Sequence, residues 1–324
     1  MRKEMTAMSE YLEELAGDAK RIGICGHIHP DGDSVGSLLG CYLYLKNVLP
    51  ECEITPFLEE PGKSFNMLKG ISDIHTDFVF PEEPFDLFIS VDCGSFDRMG
   101  KCGDAFTAAK KTVNFDHHIT NTGFADINFV EAYASSTSEV LFGHMNKDLI
   151  DLPTAEALYT GIMHDTGVFK YSCTSEKTMN IAGYLMSKGI DTADLIDRSF
   201  YMKTFPQLKA LGFALNKAEL VLGGKAIVSV LTLADMEKLG ITAAETEGIV
   251  SELRTTEGVE SAVFVREDAP GKFKFSLRSN GKVDVSVISS SFNGGGHKMA
   301  AGFSTTSDLD SILTQVYAMI MLQL

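Results

Sequence analysis

The chain has 324 residues, of which 44% are hydrophobic, so it can bury a full core and is long enough for two domains. Lys and Arg number 28 against 44 Asp and Glu, which gives a formal net charge of −16. Because affinity for long nucleic acid comes from basic residues that neutralise phosphates, this charge argues against a protein that tracks along polymers.

Strand and helix patterns alternate through the first half of the chain. A charged helical pattern covers residues 1–19, and a second helical pattern runs from about Ser34 to Leu49. Helical patterns also separate most of the later strand patterns, which predicts βαβ units and a mainly parallel five-stranded sheet flanked by helices. The predicted strands cover residues 22–25, 53–58, 85–92, 111–116 and 125–130.

The second half is helical from Thr137 to about Lys188, and a second α/β pattern begins near residue 226. A polar, partly helical stretch separates the two patterns. The sequence therefore predicts a first domain at 1–190, a linker at 191–219 and a smaller mixed-sheet α/β domain at 220–324. Within the smaller domain, strands are predicted at 226–233, 259–265 and 272–278, a helix at 243–253 and a last helix after Ser307.

The segment from Gly26 to Gly36, Gly-His-Ile-His-Pro-Asp-Gly-Asp-Ser-Val-Gly, joins the first strand to the helix that follows it. It places His27, Asp31 and Asp33 at the carboxyl end of a strand, where open α/β sheets bind their ligands. Imidazole and carboxylate together suit a divalent metal of intermediate hardness. Taken alone, however, such a segment is more often a turn with a helix cap.

Three further segments match this one in position and chemistry. Asp92 ends the third strand, Asp116-His117-His118 ends the fourth, and Asp165 lies between two glycines in Gly161–Gly167. If the strands are neighbours, these carboxylates would repel one another, and two dications would remove that objection. The predicted metal ligands are His27, Asp31, Asp33, Asp92, His117 and Asp165.

These segments resemble the four motifs of the DHH phosphoesterase superfamily, in the same order: His27-x-x-x-Asp31-x-Asp33, Val91-Asp92, Asp116-His117-His118 and Asp165-Thr166-Gly167. Gly294-Gly295-Gly296-His297, with Ser276-Leu277-Arg278-Ser279 upstream, resembles the substrate-binding domain associated with that superfamily. The size and layout are similar to the group of bifunctional oligoribonucleases and 3′-phosphoadenosine-5′-phosphate (pAp) phosphatases, the NrnA-like group. The resemblance implies a catalytic domain at 1–190, a substrate-binding domain at 220–324 and an active site in the cleft between them.

The resemblance also implies two divalent metal ions and a hydroxide between them that attacks phosphorus. Manganese is the metal it implies, with Mg²⁺ or Co²⁺ as alternatives. Asp92 and His118 would be the catalytic residues, and His118 would face the phosphate as a donor or general acid. Asp92 would bridge the ions, with His27 and Asp31 on the first ion and Asp33, His117 and Asp165 on the second.

Residues 266–298 reverse the negative charge of the chain, with six basic residues against three acidic ones. The glycine triplet can present backbone N–H groups to an anion, and Arg278 can grip a phosphate bidentately. Without the resemblance, a solvated strand face is the preferred interpretation, and Arg98 fits a structural role equally well. The predicted substrate-binding residues are Arg98, His118, Arg278, Ser279, Gly294, Gly295, Gly296 and His297.

The predicted function is hydrolysis of very short oligoribonucleotides (nanoRNA and pApA-type dinucleotides) to mononucleotides, together with dephosphorylation of pAp to AMP. Two alternatives stay open: a family II-type pyrophosphatase or exopolyphosphatase, and a non-catalytic nucleotide-binding regulator. The expected partners are short RNA oligonucleotides, linear dinucleotides and pAp, without long nucleic acid or a membrane, and a homodimer is left open. Six cysteines without a Cys-x-x-Cys pair, and no signal-peptide pattern, predict a cytoplasmic protein.

Overall fold

The structure, a computed structural model, describes residues 11–324. It divides into two compact units with the boundary between Met202 and Lys203. This boundary falls inside the stretch 191–219 that the sequence predicts as a linker, and helices of that stretch belong to both units. The predicted helix at 1–19 lies partly outside the described residues, which contain one short helix there, Leu12–Ala16.

The first unit is built on a five-stranded sheet of order β2-β1-β3-β4-β5, in which every neighbouring pair is parallel. The interior strands β3 and β4 are buried at every residue, as expected for strands covered on both faces. The predicted parallel α/β fold is confirmed. The strands are β1 Arg21–Cys25, β2 Glu53–Phe57, β3 Leu87–Val91, β4 Thr112–Asp116 and β5 Ile127–Val130.

Two helices of this unit approach each other closely, and both carry residues of the candidate site. A Cβ atom at Gly36 would lie 2.6 Å from the carbonyl oxygen of Ala157, so only glycine allows this packing distance. The first of these helices is α2 and the second is α5. The helices of the unit are α1 Leu12–Ala16, α2 Gly32–Val48, α3 Gly103–Ala108, α4 Thr137–Gly143, α5 Leu152–Asp165, α6 Glu176–Met186 and α7 Thr192–Ile196.

The second unit contains a six-stranded sheet of order β10-β11-β9-β8-β7-β6. Only β7 and β8 run parallel and the other pairs are antiparallel, which confirms a mixed sheet. The strands are β6 Glu219–Val221, β7 Ala226–Leu231, β8 Ser261–Ala269, β9 Lys272–Ser279, β10 Gly295–His297 and β11 Ala300–Thr305. The helices are α8 Phe205–Asn216, α9 Leu233–Leu239, α10 Ile249–Arg254, α11 Val285–Ser290 and α12 Leu309–Met321.

The smaller unit differs from the sequence prediction in two places. The helix predicted at 243–253 is a 3₁₀ turn, Ala243–Thr246, followed by α10, because Gly248 adopts a φ of 82° that a helix cannot contain. The strands β6, β10 and β11 were not predicted. Glycine and alanine have low strand propensity, so β10 and β11 form through their pairing with β9 rather than from local preference.

None of the described helices is both long enough and apolar enough to span a membrane.

Candidate metal centre

The candidate site forms where three neighbouring parallel strands end. His27 follows β1, Asp92 follows β3 and His117 follows β4, and the strand order places these ends side by side. The carboxyl edge of a parallel sheet is where such folds bind ligands. Asp33 in the first turn of α2 and Asp165 at the end of α5 complete the cluster, because these helices pack closely.

The turn before α2 is both a helix cap and part of the site. One carboxylate oxygen of Asp31 accepts the backbone N–H groups of Asp33 and Ser34, each at 3.1 Å. The same oxygen lies 3.6 Å from Nε2 of His27. The two interpretations of this segment are therefore compatible, because the cap orients the carboxylate that faces the imidazole.

The carboxylate of Asp92 lies between two groups of ligand atoms. Its Oδ2 lies 3.4 Å from Nε2 of His27, while its Oδ1 lies 3.7 Å from Nε2 of His117. In each group the ligand atoms lie within 4.8 Å of one another, close enough for one metal ion. The first group is His27, Asp31 and Asp92, and the second is Asp33, His117 and Asp165. A third group, Asp92, His117 and His118, overlaps both.

The backbone of Asp92 is in the left-handed region, with a φ of 57°. A non-glycine residue pays a steric penalty there, and such residues cluster at functional sites where the surroundings hold them. Here the N–H group of Asp92 donates to the carbonyl of Phe115 at 3.0 Å, and its Oδ1 accepts from the hydroxyl of Thr137 at 3.0 Å. These contacts hold the carboxylate between the two groups.

Asp33 is completely buried and is held by the first turn of α4. Its carboxylate accepts the N–H of Thr137 at 2.6 Å, the N–H of Ser138 at 3.1 Å and the hydroxyl of Ser138 at 2.6 Å. Ser136 caps α4 by accepting the N–H of Glu139. The supporting role of Thr137 and Ser138 was missed.

The carboxylates of the cluster raise the pKa values of the histidines and aspartates around them. Burial lowers the pKa of His27, but its hydrogen bonds to Asp31 and Asp92 outweigh burial and raise the pKa to about 11. The pKa of His117 is likewise raised to about 10, since Asp165 and the other carboxylates outweigh burial. Burial and the charges of Asp92 and Asp165 raise the pKa of Asp33 well above its usual value.

In the metal-free protein, protons on these histidines and aspartates therefore offset the negative charge of the carboxylates. Divalent cations would do so better, because metal ligands bind in their deprotonated forms. The donor set of imidazole nitrogens and carboxylate oxygens fits Mn, Fe, Co or Zn. The residues present thus fit the predicted pair of metal ions.

His118 stands beside the cluster and is oriented by a residue that the sequence analysis did not assign to the site. Its Nδ1 lies 2.7 Å from Oδ1 of Asp116, which is completely buried. This hydrogen bond raises the pKa of His118. Asn121 donates to the other oxygen of Asp116 at 2.7 Å and to the carbonyl of Cys93 at 3.1 Å. Asp116 thereby occupies Nδ1 and leaves Nε2 as the nitrogen available to a substrate.

Arg98 lies next to the first group of ligands. Its Nη2 is 2.9 Å from Nδ1 of His27, and its carbonyl accepts the N–H of Ile28 at 2.9 Å. The structure therefore brings Arg98 to the site, whereas its contact with a phosphate stays a prediction.

The predicted substrate-binding residues of the second unit lie on neighbouring strands. Arg278 on β9 and His297 on β10 are both opposite Ala300 of β11, so their side chains share one face of the sheet. Ser279 points to the other face, is buried, and accepts the N–H of Gly281 at 3.0 Å. Its hydroxyl stabilises the turn after β9.

Close backbone packing requires two of the three glycines in the triplet. A Cβ atom at Gly294 would lie 2.3 Å from the carbonyl oxygen of Gly302. Gly296 has a φ of 138°, and a Cβ atom there would lie 2.5 Å from the carbonyl oxygen of Ala300. Gly295 has open space around it, so only two of the three positions demand glycine on steric grounds.

Comparison with known proteins gives two matching families. The model of the DHH family, N-terminal domain, matches residues 21–162, and that of the DHHA1 domain matches residues 223–321. The chain is 29% identical over 299 residues to the "Bifunctional oligoribonuclease and PAP phosphatase NrnA" of Bacillus subtilis, covering 90% of this chain and 91% of the relative. It is 29% identical over 323 residues to the protein of that name from Thermus thermophilus, covering 97% and 91%.

Among solved structures, the fold is similar to that of an exopolyphosphatase-related protein from Bacteroides fragilis. The TM-score is 0.88 at 24% sequence identity, and the alignment covers 99% of this chain and 98% of the other. This likeness extends the agreement to the fold of both units.

Proposed function

We propose that this chain, which matches the DHH domain at residues 21–162 and the DHHA1 domain at 223–321, is a metal-dependent phosphoesterase that hydrolyses very short oligoribonucleotides and dephosphorylates pAp to AMP. The DHH and DHHA1 domains and the relatives named as oligoribonuclease and PAP phosphatase make it a phosphoric ester hydrolase. The choice of substrates rests on those relatives, whose identity to this chain is 29%.

The observation that carries the proposal is the position of the Asp92 carboxylate. Each of its two oxygens faces a different group of ligand atoms, His27 on one side and His117 on the other. A carboxylate in this position can bridge two divalent ions. Such a pair would lower the pKa of a bound water and neutralise phosphate charge.

The other residues of the site would position the substrate and manage protons. His118, held through Nδ1 by Asp116, would donate from Nε2 to a phosphate oxygen or to the leaving oxygen. Arg98 would contribute a second positive group to the same phosphate beside His27. Thr137 would keep Asp92 from rotating away from either group, because it donates to Oδ1.

We propose manganese as the metal, with Mg²⁺ or Co²⁺ as alternatives. Imidazole favours Mn or Co over Mg, and the four carboxylates supply the hard oxygen ligands that Mn accepts. Activity of the metal-stripped protein after addition of each ion in turn ranks them.

In the second unit, Arg278 and His297 would bind the terminal phosphate and the neighbouring nucleotide. Their support is that both side chains lie on one face of the sheet. The net charge of −16 supports short substrates, because a small basic surface can neutralise a few phosphates and cannot hold a polymer.

The decisive experiment compares pAp, pApA, pyrophosphate and a long oligoribonucleotide as substrates with Mn²⁺ added. We expect hydrolysis of pAp and pApA, and little of the other two. Asp92→Asn should reduce every rate to background, since it removes the carboxylate that faces both groups of ligands. Asp148→Asn is the control and should match the wild type, because Asp148 is exposed and belongs to neither group. Pyrophosphate as the preferred substrate would refute the proposal, and so would normal activity of Asp92→Asn.

A further inference from the structure

Glu139 on α4 carries a fully buried carboxylate that belongs to none of the groups of metal ligands. It ends a run of five polar residues, 135–139, all of which are buried. Burying a carboxylate is costly unless it is paired and hydrogen-bonded, and well-packed apolar residues often stabilise a fold equally well. A carboxylate at this position therefore points to a need other than stability.

The side chain of Glu139 joins the start of α4 to the start of α6. Its Oε2 accepts the hydroxyl of Ser135 at 2.7 Å, the N–H of Ser135 at 3.4 Å and the hydroxyl of Thr178 at 2.7 Å. A glutamate in the first turn of a helix often accepts the N–H of the cap residue, which here is Ser136. Glu139 reaches instead to the residue before the cap and to a second helix.

The helix α6 is a firm anchor for this contact. Ile181 and Leu185 on α6 are buried and pack in the core of the first unit. The cap residue of α6, Ser175, donates its N–H to the hydroxyl oxygen of Thr178 at 3.2 Å. The proton of that hydroxyl is then directed to Glu139, so the carboxylate is held by a residue that is itself fixed.

Lys177, the neighbouring residue on α6, supplies the opposite charge. Its Nζ lies 3.6 Å from Oε1 of Glu139, the oxygen that accepts no hydrogen bond within the described part of the chain. The same Nζ lies 2.9 Å from Oε2 of Glu131. Burial lowers the pKa of Lys177, but the two glutamates outweigh burial and raise it, so the ammonium group stays charged. Lys177 therefore pairs with both ends of the segment 131–139.

This segment carries the groups that support the metal ligands. The N–H groups of Thr137 and Ser138 donate to Asp33, and the hydroxyl of Thr137 donates to Asp92. The contact between Glu139 and the residue before the cap closes the chain around both donors. Donors that are held on both sides cannot turn away, so the carboxylates that they support keep their positions.

We propose that Glu139 is a positioning residue of the metal centre, and that α6 holds it in place through Thr178 and Lys177. Glu139 fixes the first turn of α4 in the position in which its N–H groups face Asp33. Residues that support metal ligands change metal affinity by roughly 10–100-fold. This inference rests on the proposed function, because it concerns the metal ligands of the site that would carry the activity.

The first test measures the affinity of the metal-stripped full chain for Mn²⁺ by calorimetry, without substrate. Lys177→Met removes the charge that faces Glu139, and it changes a half-exposed side chain, so the protein should still fold. This variant should bind Mn²⁺ at least fivefold more weakly than the wild type, because the pairing that holds Glu139 is lost. Lys177→Arg should restore the affinity to within twofold of the wild type.

Lys110→Met is the matched control for Lys177→Met. Lys110 also pairs with a carboxylate, that of Asp86 at 2.8 Å, but Asp86 belongs to none of the groups of ligands. Both changes remove one positive charge, so a general effect of charge on Mn²⁺ binding is the same in the two variants. Lys110→Met should bind Mn²⁺ within twofold of the wild type, and equal affinities of the two variants would overturn the inference.

Glu139→Gln tests the carboxylate itself at nearly constant shape. The amide oxygen can accept from Ser135 and Thr178 only when the amide nitrogen faces Lys177, where a donor meets a cation. The affinity for Mn²⁺ should fall at least tenfold, while KM for pAp at saturating Mn²⁺ should stay within twofold of the wild type, because a fully buried side chain does not contact substrate. Lower thermal stability with unchanged Mn²⁺ affinity would make Glu139 a purely structural residue and overturn the inference. If Glu139→Gln does not fold, the comparison of the two lysine variants decides.

The same titrations separate this inference from the proposed function. If the wild type hydrolyses neither pAp nor pApA, and Lys177→Met still binds Mn²⁺ more weakly than Lys110→Met, the proposed function fails and the role of Glu139 stands. If the wild type hydrolyses both substrates and the two variants bind Mn²⁺ equally, the proposed function stands and the role of Glu139 is refuted.

Discussion

Ser138→Ala tests whether α4 supports the metal site through Asp33. The hydroxyl of Ser138 donates to Oδ1 of Asp33 at 2.6 Å inside a completely buried pocket. A hydrogen bond to a charged group contributes about 1.5–3 kcal/mol. Since 1.4 kcal/mol corresponds to a factor of ten, losing it should weaken the affinity of the second group for Mn²⁺ by roughly 10–100-fold, the range known for residues that support metal ligands.

The loss should stay local, because two backbone N–H groups still donate to Asp33, at 2.6 Å and 3.1 Å. The assay is a titration of the metal-stripped protein with Mn²⁺, followed by calorimetry and by recovery of activity. Ser229→Ala is a matched control, since it removes another buried serine hydroxyl, which donates to the carbonyl of Ala214 at 2.7 Å in the second unit. An affinity within twofold of the wild type for Ser138→Ala would refute the idea that α4 holds Asp33 for metal binding.

Two further predictions concern protons. At pH 7.5 the pKa values of about 11 for His27 and about 10 for His117 mean that both rings carry an extra proton in the metal-free protein. Metal binding should therefore release protons, and the apparent affinity for the metal should rise with pH up to about 10. Calorimetry in buffers of different ionisation enthalpy measures this release, and a heat of binding that does not depend on the buffer would contradict it. Asp116→Asn removes the charge that raises the pKa of His118. The alkaline limb of the pH–rate profile should therefore move to lower pH, and kcat should fall at least about tenfold. An unchanged alkaline limb would exclude His118 as the general acid.

The ligand positions could be proposed from the sequence because each one is tied to a local signal. His27, Asp92 and His117 lie within two residues of the ends of apolar strands, and the ends of neighbouring parallel strands meet at one edge. The order of the strands could not be read from local patterns, yet the chemistry of their ends was enough to suggest that they are neighbours. The structure brings the six predicted ligands together, with Asp92 in one group and 3.7 Å from His117 of the other.

The supporting residues were not predicted because they are distant in sequence. Thr137 lies 104 residues from Asp33 and 45 residues from Asp92, and no local pattern connects a helix cap to carboxylates so far away. Asp116 was visible in the Asp-His-His motif, but its contact with His118 depends on side-chain direction. The strand β10 was missed for a related reason, since pairing with β11 overrides the low strand propensity of three glycines.

The turn at Pro30-Asp31-Gly32-Asp33 explains how one short segment can serve two groups of ligands. Asp31 precedes the helix and faces His27, whereas Asp33 is inside the first turn and faces the group of His117 and Asp165. Their separation is therefore fixed by the start of α2, and Asp31 itself caps that start. A glycine between them is needed, because a Cβ atom at Gly32 would lie 2.1 Å from the ring of His164. Replacing Gly32 by alanine would push α2 away from α5, and it would displace both carboxylates together rather than either one alone.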